Sequence, residues 1–203
     1  MSSDNKKILI CTWNAGNAPP SKLDAIFADK TNVPDIIVCG LQESTWGALG
    51  EVAVMQTAWE SAIGPDFELA QHLQRAQLQL FIFAKKGIKN EISHIETSAE
   101  NTGLLGIYPN KGGILITFKI RETSIAFVSC HLTAHEGIHH CEQRNDSIAE
   151  ILEGAKVKDT RYDITSQFHH IFWMGDMNYR TAFSKEEPKS HRAVMSEAAL
   201  KQK

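Results

Sequence analysis

Short apolar runs, each about the length of one buried β-strand, recur along the chain and limit what it can fold into. They occupy residues 8–13, 35–41, 78–84, 113–120, 124–130 and 169–174 and are rich in Ile, Val and Phe. Runs of this length with little polar interruption predict strands covered on both faces. Arg121-Glu122-Thr123 breaks two of them apart and predicts an antiparallel hairpin. Helical patterns fall between the runs at 21–28, 48–62 and about 140–156, and a last one is expected at 190–203. Ser21 follows Pro19-Pro20 as an N-cap. With no internal repeat and no Pro/Gly/Ser linker, the alternation predicts a single domain over 1–203, a mixed-sheet α/β or layered α+β domain.

The chain has 203 residues, 42% hydrophobic and 22% charged, a balance suited to a sizeable core and unlike that of a disordered chain. A net charge of -3 argues against a protein that coats nucleic acid, so no nucleic-acid partner is expected. Cys11, Cys39 and Cys130 lie inside apolar runs, and with Cys141 they show no C-x-x-C or framework spacing. They read as reduced core thiols, which points to a cytoplasmic protein. Neither the amino terminus nor any later segment predicts a signal peptide or membrane span, so membrane contact is expected to be peripheral.

Four of the apolar runs end on a polar residue that packing would not select. Ile-Cys-Thr-Trp leads to Asn14 and Val-Cys-Gly-Leu-Gln to Glu43. Phe-Val-Ser-Cys leads to His131 and Ile-Phe-Trp-Met-Gly to Asp176, with Asn178 two residues on. Singly, each is ordinary: an Asn or Gly-Asp in a turn, a surface Glu, a hydrogen-bonded His. Their recurrence at strand ends, where α/β sheets gather ligands, predicts one shared pocket. Carboxylate and amide oxygens without thiolates suit a hard cation such as Mg²⁺, which takes few protein ligands and leaves room for a phosphate. Glu43 with Asn14 could hold it, Asp176 could deprotonate a water, and His131 could donate to an oxyanion or leaving group.

The blocks Thr12-Trp13-Asn14-Ala15-Gly16-Asn17, Leu41-Gln42-Glu43, Asn110-Lys111-Gly112-Gly113, Ser129 to His135, Arg144-Asn145 and Phe172 to Arg180 occur in an order that resembles the inositol polyphosphate 5-phosphatases. These are a branch of the endonuclease/exonuclease/phosphatase superfamily. The resemblance runs from about Ile8 to Arg180. It implies a deoxyribonuclease-like four-layer sandwich of two mixed sheets flanked by helices, and Mg²⁺-dependent removal of the 5-phosphate from inositol phosphates or phosphoinositides. It also implies roles for particular residues. Glu43 and Asn14 would hold Mg²⁺. Asp176 would activate water, Asn178 would hold Asp176 and the scissile phosphate, and His131 would contact that phosphate. Asn110 and Lys111 would reach a second ring phosphate. His135, Arg144, Asn145, Tyr179 and Arg180 fall on substrate-side positions, and Arg180 is equally well read as half of an ion pair behind the site.

The resemblance also implies segments after Arg180 that are not found here: a basic stretch, a Pro-x-Trp-Cys-Asp-Arg-Ile block and a late Ser-Asp-His block. The chain is therefore expected to lack the carboxyl-terminal third of the domain, to leave the second sheet incomplete, and to have little or no activity alone. Three other readings compete. One is a phosphoinositide-binding remnant without turnover, and another a Mg²⁺ nuclease of the same superfamily. The third is a zinc protease, through the H-E-x-x-H pattern of His135-Glu136-Gly137-Ile138-His139.

Overall fold

The computed structural model describes residues 5–21, 23–27, 32–44, 51–102 and 111–180. Strands β1 (Ile8–Asn14), β2 (Ile36–Gln42), β3 (Phe67–Arg75) and β4 (Leu78–Lys85) form one sheet in the order β1-β2-β4-β3. Strands β5 (Ile92–Asn101), β6 (Gly112–Ile120), β7 (Thr123–His131) and β8 (His170–Asp176) form the other, in the order β5-β6-β7-β8. Both sheets are mixed. β1 runs parallel to β2 and β7 parallel to β8, while the remaining pairings are antiparallel. The helices are α1 (Glu51–Ile63), the single turn α2 (Lys86–Lys89) and α3 (Ile138–Gly154).

Strand alternation builds the layers. Ile36 and Val38 of β2 point inward with Leu80 and Ile82 of β4. They meet Ile114, Ile116 and Phe118 of β6 and Phe127 of β7 across the gap between the sheets. The alternate residues face outward. Ile37, Cys39 and Leu41 pack with Phe81 and Phe83 against Met55 and Trp59 of α1 and the 3-10 turn Leu23–Phe27. Leu115, Ala126 and Val128 pack against Ile151 of α3 on the far side. The result is four layers: helix, sheet, sheet, helix. This is the sandwich that the resemblance implies.

All six predicted strands are present, within a residue or two of their expected limits, and the 121–123 break is the antiparallel β6–β7 turn. The helix expected over 48–62 is α1 at Glu51–Ile63, the one near 140–156 is α3, and the pattern at 21–28 forms only a 3-10 turn. The helix expected over 190–203 lies outside the described residues. Strands β3 and β5 went unpredicted. Among the described residues both pair on one side only, and their polar sequences, Phe-Glu-Leu-Ala-Gln-His-Leu-Gln-Arg and Ile-Ser-His-Ile-Glu-Thr-Ser-Ala-Glu-Asn, carry no buried run. Among the described residues no helix is long and apolar enough to cross a membrane.

Candidate active site

The parity that sorts the core also assembles the site. In β1, Ile8 and Ile10 point into the gap, so Asn14 does too. In β7 the inward series Ile125, Phe127, Ser129 ends on His131, and in β8 Phe172 and Met174 lead to Asp176. His131 stands directly opposite Asp176 in the parallel β7–β8 register, and Asn14 opposite Gln42 in β1–β2. Glu43 has the wrong parity for the gap, since its neighbour Gln42 points inward. It escapes the strand by a left-handed backbone, φ +48°, which swings its carboxylate round to the same mouth.

The side chains meet closely there. The Nε2 atom of His131 lies 3.7 Å from Oε1 of Glu43 and 3.6 Å from Oδ2 of Asp176. The His131 ring is 1% exposed, whereas the two carboxylates are 34% and 29% exposed, so they form the wet rim of a dry imidazole. Asn14 Nδ2 donates to Asp176 Oδ2 at 2.9 Å, and the Asn178 backbone N–H donates to Asp176 Oδ1 at 3.1 Å. Both oxygens of Asp176 are thereby oriented. Asn14 Oδ1 accepts from the Gly16 N–H at 3.0 Å, leaving a lone pair for another partner.

Lys111 enters at the head of β6, and its Nζ is 2.6 Å from His131 Nε2. An ammonium only donates, so the ring receives that bond at Nε2 and carries its proton on Nδ1, which is buried without a partner among the described residues. Burial, then the neighbouring Lys111 charge, holds the His131 pKa below its ordinary value against the opposing pull of Asp176 and Glu43. Burial likewise lowers that of Lys111, with Glu43 and Asp176 opposing. The site therefore gathers two acidic side chains, a lysine and an imidazole whose neutral form is favoured by burial. Beneath it, Gln42 Nε2 donates to Ser129 Oγ at 3.2 Å and to Thr12 Oγ1 at 3.1 Å, tying the two sheets together. Sequence reasoning did not single out this bridge, although Gln42 and Ser129 share the inward parity of the site residues.

The remaining expected residues fall differently. Asn110 lies outside the described residues. Lys111 sits inside the His131 cluster rather than apart from it. The Asn178 side chain donates to the Leu132 carbonyl at 2.9 Å, so it holds Asp176 through the backbone rather than the amide. Arg144, expected on the substrate side, is 2% exposed. Its Nη1 donates to the carbonyls of Thr133 and His135 at 3.1 and 3.0 Å, and its guanidinium lies 5.2 Å from the centre of the Tyr179 ring. It braces the loop after β7 and faces no solvent. Tyr179 donates its hydroxyl proton to Asn145 Oδ1. Arg180 donates to Asn178 Oδ1 at 2.8 Å. Its partner among the described residues is thus an amide, and no ion pair of Arg180 is found among them.

The zinc-protease pattern fails on geometry. Helix α3 begins at Ile138, so His135 and Glu136 precede it, and His135 and Gly137 have left-handed backbones with φ +83° and +106°. The rings of His135 and His139 each pack against His140 at 5.3 and 5.6 Å instead of converging on a point. Among the described residues no three His, Cys, Asp or Glu side chains are grouped as a metal cage. What the mouth offers instead is carboxylate and amide oxygen, the donor set of a hard cation that keeps much of its own water.

Fold and site together define a four-layer, two-sheet sandwich whose polar cluster closes one end of the gap between the sheets. The chain matches the Endonuclease/Exonuclease/phosphatase family 2 over residues 11–202 and belongs to that family. Among curated proteins it is 30% identical over 199 residues to human phosphatidylinositol 3,4,5-trisphosphate 5-phosphatase 2, covering 91% of this chain. It is 32% identical over 188 residues to rat phosphatidylinositol 3,4,5-trisphosphate 5-phosphatase 1, covering 85% of it. The chain spans 16% of the length of each. Among solved structures it resembles the inositol polyphosphate 5-phosphatase domain of SPsynaptojanin in complex with inositol (1,4)-bisphosphate and calcium ion. The TM-score is 0.77 at 26% identity, over 97% of this chain and 60% of that one. A Cimex nitrophorin solved as a ferrous NO complex shares the fold, with a TM-score of 0.66 at 16% identity over 95% of this chain and 65% of that one.

Proposed function

We propose that this chain carries a site that hydrolyses the 5-phosphate of inositol phosphates or phosphoinositides, with Mg²⁺ as its cation. The observation that carries the reading is the convergence of Asn14, Glu43, His131 and Asp176 from four strands of two sheets onto one point. Glu43, with Asn14 beside it, would hold Mg²⁺, and the bound cation would offset negative charge on the phosphate oxygens. Asp176, fixed by Asn14 and the Asn178 N–H, is placed to take a proton from the attacking water. The Lys111 ammonium and the His131 ring supply charge and hydrogen bonding to a phosphoryl group at the mouth, in a setting dry enough for such interactions to count. The same reading makes the protein cytoplasmic and at most peripheral at membranes.

The test is phosphate release from short-chain phosphatidylinositol 4,5-bisphosphate with Mg²⁺, with EDTA, and with Asp176→Asn. Whatever release this chain alone gives, expected to be weak, should stop with EDTA and drop by about 10²–10⁴-fold in the variant, the usual range for a lost general base. Release that is indifferent to EDTA and to Asp176 would overturn the assignment. A second reading, binding without turnover, rests on the Lys111 side chain that stands at the mouth beside His131. A binding-only protein would take up the same lipid in nanodiscs, lose that affinity on Lys111→Ala, and release no phosphate.

A further inference from the structure

Two of the four free cysteines stand in contact on neighbouring strands. Cys11 of β1 and Cys39 of β2 are direct partners in the parallel register, and their Sγ atoms are 3.2 Å apart. Neighbouring strands run about 4.8 Å apart, which puts the two Cα atoms inside the span of about 4.4–6.8 Å that a disulfide bridges. Both side chains point outward from the sheet into the layer beneath α1, so a small χ1 rotation of each closes the remaining gap to a bond of about 2.05 Å. Cys39 is fully buried and Cys11 half-buried, on a strand that pairs on one side only among the described residues.

We propose that Cys11 and Cys39 form a reversible dithiol–disulfide site that hydrogen peroxide oxidises. Cys11 is the sulfur that reacts first, because it is the more accessible of the pair. Its thiolate attacks one peroxide oxygen, the O–O bond breaks, and sulfenic acid forms with release of hydroxide. The Cys39 thiol then attacks the Cys11 sulfur. Its proton goes to hydroxide, the sulfenic oxygen leaves as hydroxide and is protonated, and the S–S bond closes. In total two thiols and one peroxide give one disulfide and two waters. The chemical asymmetry of the pair fits this order. The hydrogen bond with Cys39 holds the Cys11 pKa below the ordinary thiol value, and burial raises that of Cys39 well above it.

The other two cysteines have no such partner. Cys130 lies on the second sheet, fully buried beside the indole N–H of Trp173, and burial pushes its pKa up to about 11. Cys141 lies on α3. Oxidation should therefore select one pair, and the inference stands whether or not the chain hydrolyses phosphoinositides. In a reducing compartment such a bond would form transiently and be removed by thiol exchange.

The folded protein is treated with a small excess of hydrogen peroxide, alkylated and mapped by mass spectrometry without reduction. The expected product has lost two of its four free thiols and yields one linked peptide pair containing Cys11 and Cys39, which dithiothreitol reverses. Cys11→Ser should abolish the link, and Cys141→Ser should leave it intact. A link through Cys130 or Cys141, irreversible sulfinic acid at Cys11, or four thiols surviving peroxide that oxidises a free cysteine standard would each overturn the proposal. The mapping of the unsubstituted protein decides the question even if a variant fails to fold.

Discussion

Gly175 precedes Asp176 with φ +126°, and a Cβ built there would lie 2.0 Å from the Cys130 carbonyl oxygen. Only glycine lets β8 approach β7 closely enough to aim the carboxylate, so Gly175→Ala should cost about 3 kcal/mol in urea unfolding. A loss below about 0.5 kcal/mol, the size of an ordinary surface change, would mean that the strand yields easily. His72 gives a pH prediction. It stacks on Phe81 with ring centres 4.2 Å apart, and burial holds its pKa below the ordinary value, with the neighbouring Gln79 side chain opposing. Below about pH 6.5 the unfolded chain then binds a proton more readily than the folded one. Stability is full above that pH and falls from there down to the lowered folded value. His72→Phe should flatten the slope of the urea midpoint in that window, and parallel slopes would refute it. At this scale Asn14, His131 and Asp176 were legible because each closes an apolar run with inward parity. The turn at Glu43 was not, because nothing in its residue type announces a left-handed backbone.

Helix α3 shows how an element can serve a site it does not enter. Arg144 projects from its second turn under the loop that follows His131 and holds two carbonyls of that loop. Replacing it by Leu would take the donor from both half-buried acceptors, so Arg144→Leu should cost about 1–3 kcal/mol by thermal or urea unfolding. Lys would not substitute fully, since one ammonium lacks the planar fork. The family resemblance put Arg144 on the substrate side, and nothing in the sequence marks its burial, because its partners are backbone carbonyls. The central strands were legible for the opposite reason: β2, β4, β6 and β7 are covered on both faces and read as unbroken apolar runs. The edge strands β3 and β5 have no such signature, and only pairing with their neighbours makes them strands.

Across the whole molecule the site joins two sheets that also touch through apolar packing and polar links such as Gln42–Ser129 and Arg75–Asn101. A cation held at Glu43 would bind the folded chain and not the unfolded one. Mg²⁺ should therefore raise the unfolding midpoint, by about 2.7 kcal/mol of stability at a concentration 100-fold above its Kd. Glu43→Gln should remove most of that increment, and an equal gain in both proteins would place the cation elsewhere. The nitrophorin likeness shows that the sandwich does not dictate chemistry, so these residue-level tests carry more weight than the outline of the fold. The two parallel pairings also bear on how the protein comes into being. β1 must wait for β2, and β7 for β8, with a long excursion between the partners in each case. Such non-local closures are slow. On a translating ribosome Asn14 and Glu43 emerge well before His131, and Asp176 comes after all three. The nascent chain thus carries these four groups as separate pieces, and the cluster can assemble only once residue 176 has cleared the exit tunnel and β8 has docked.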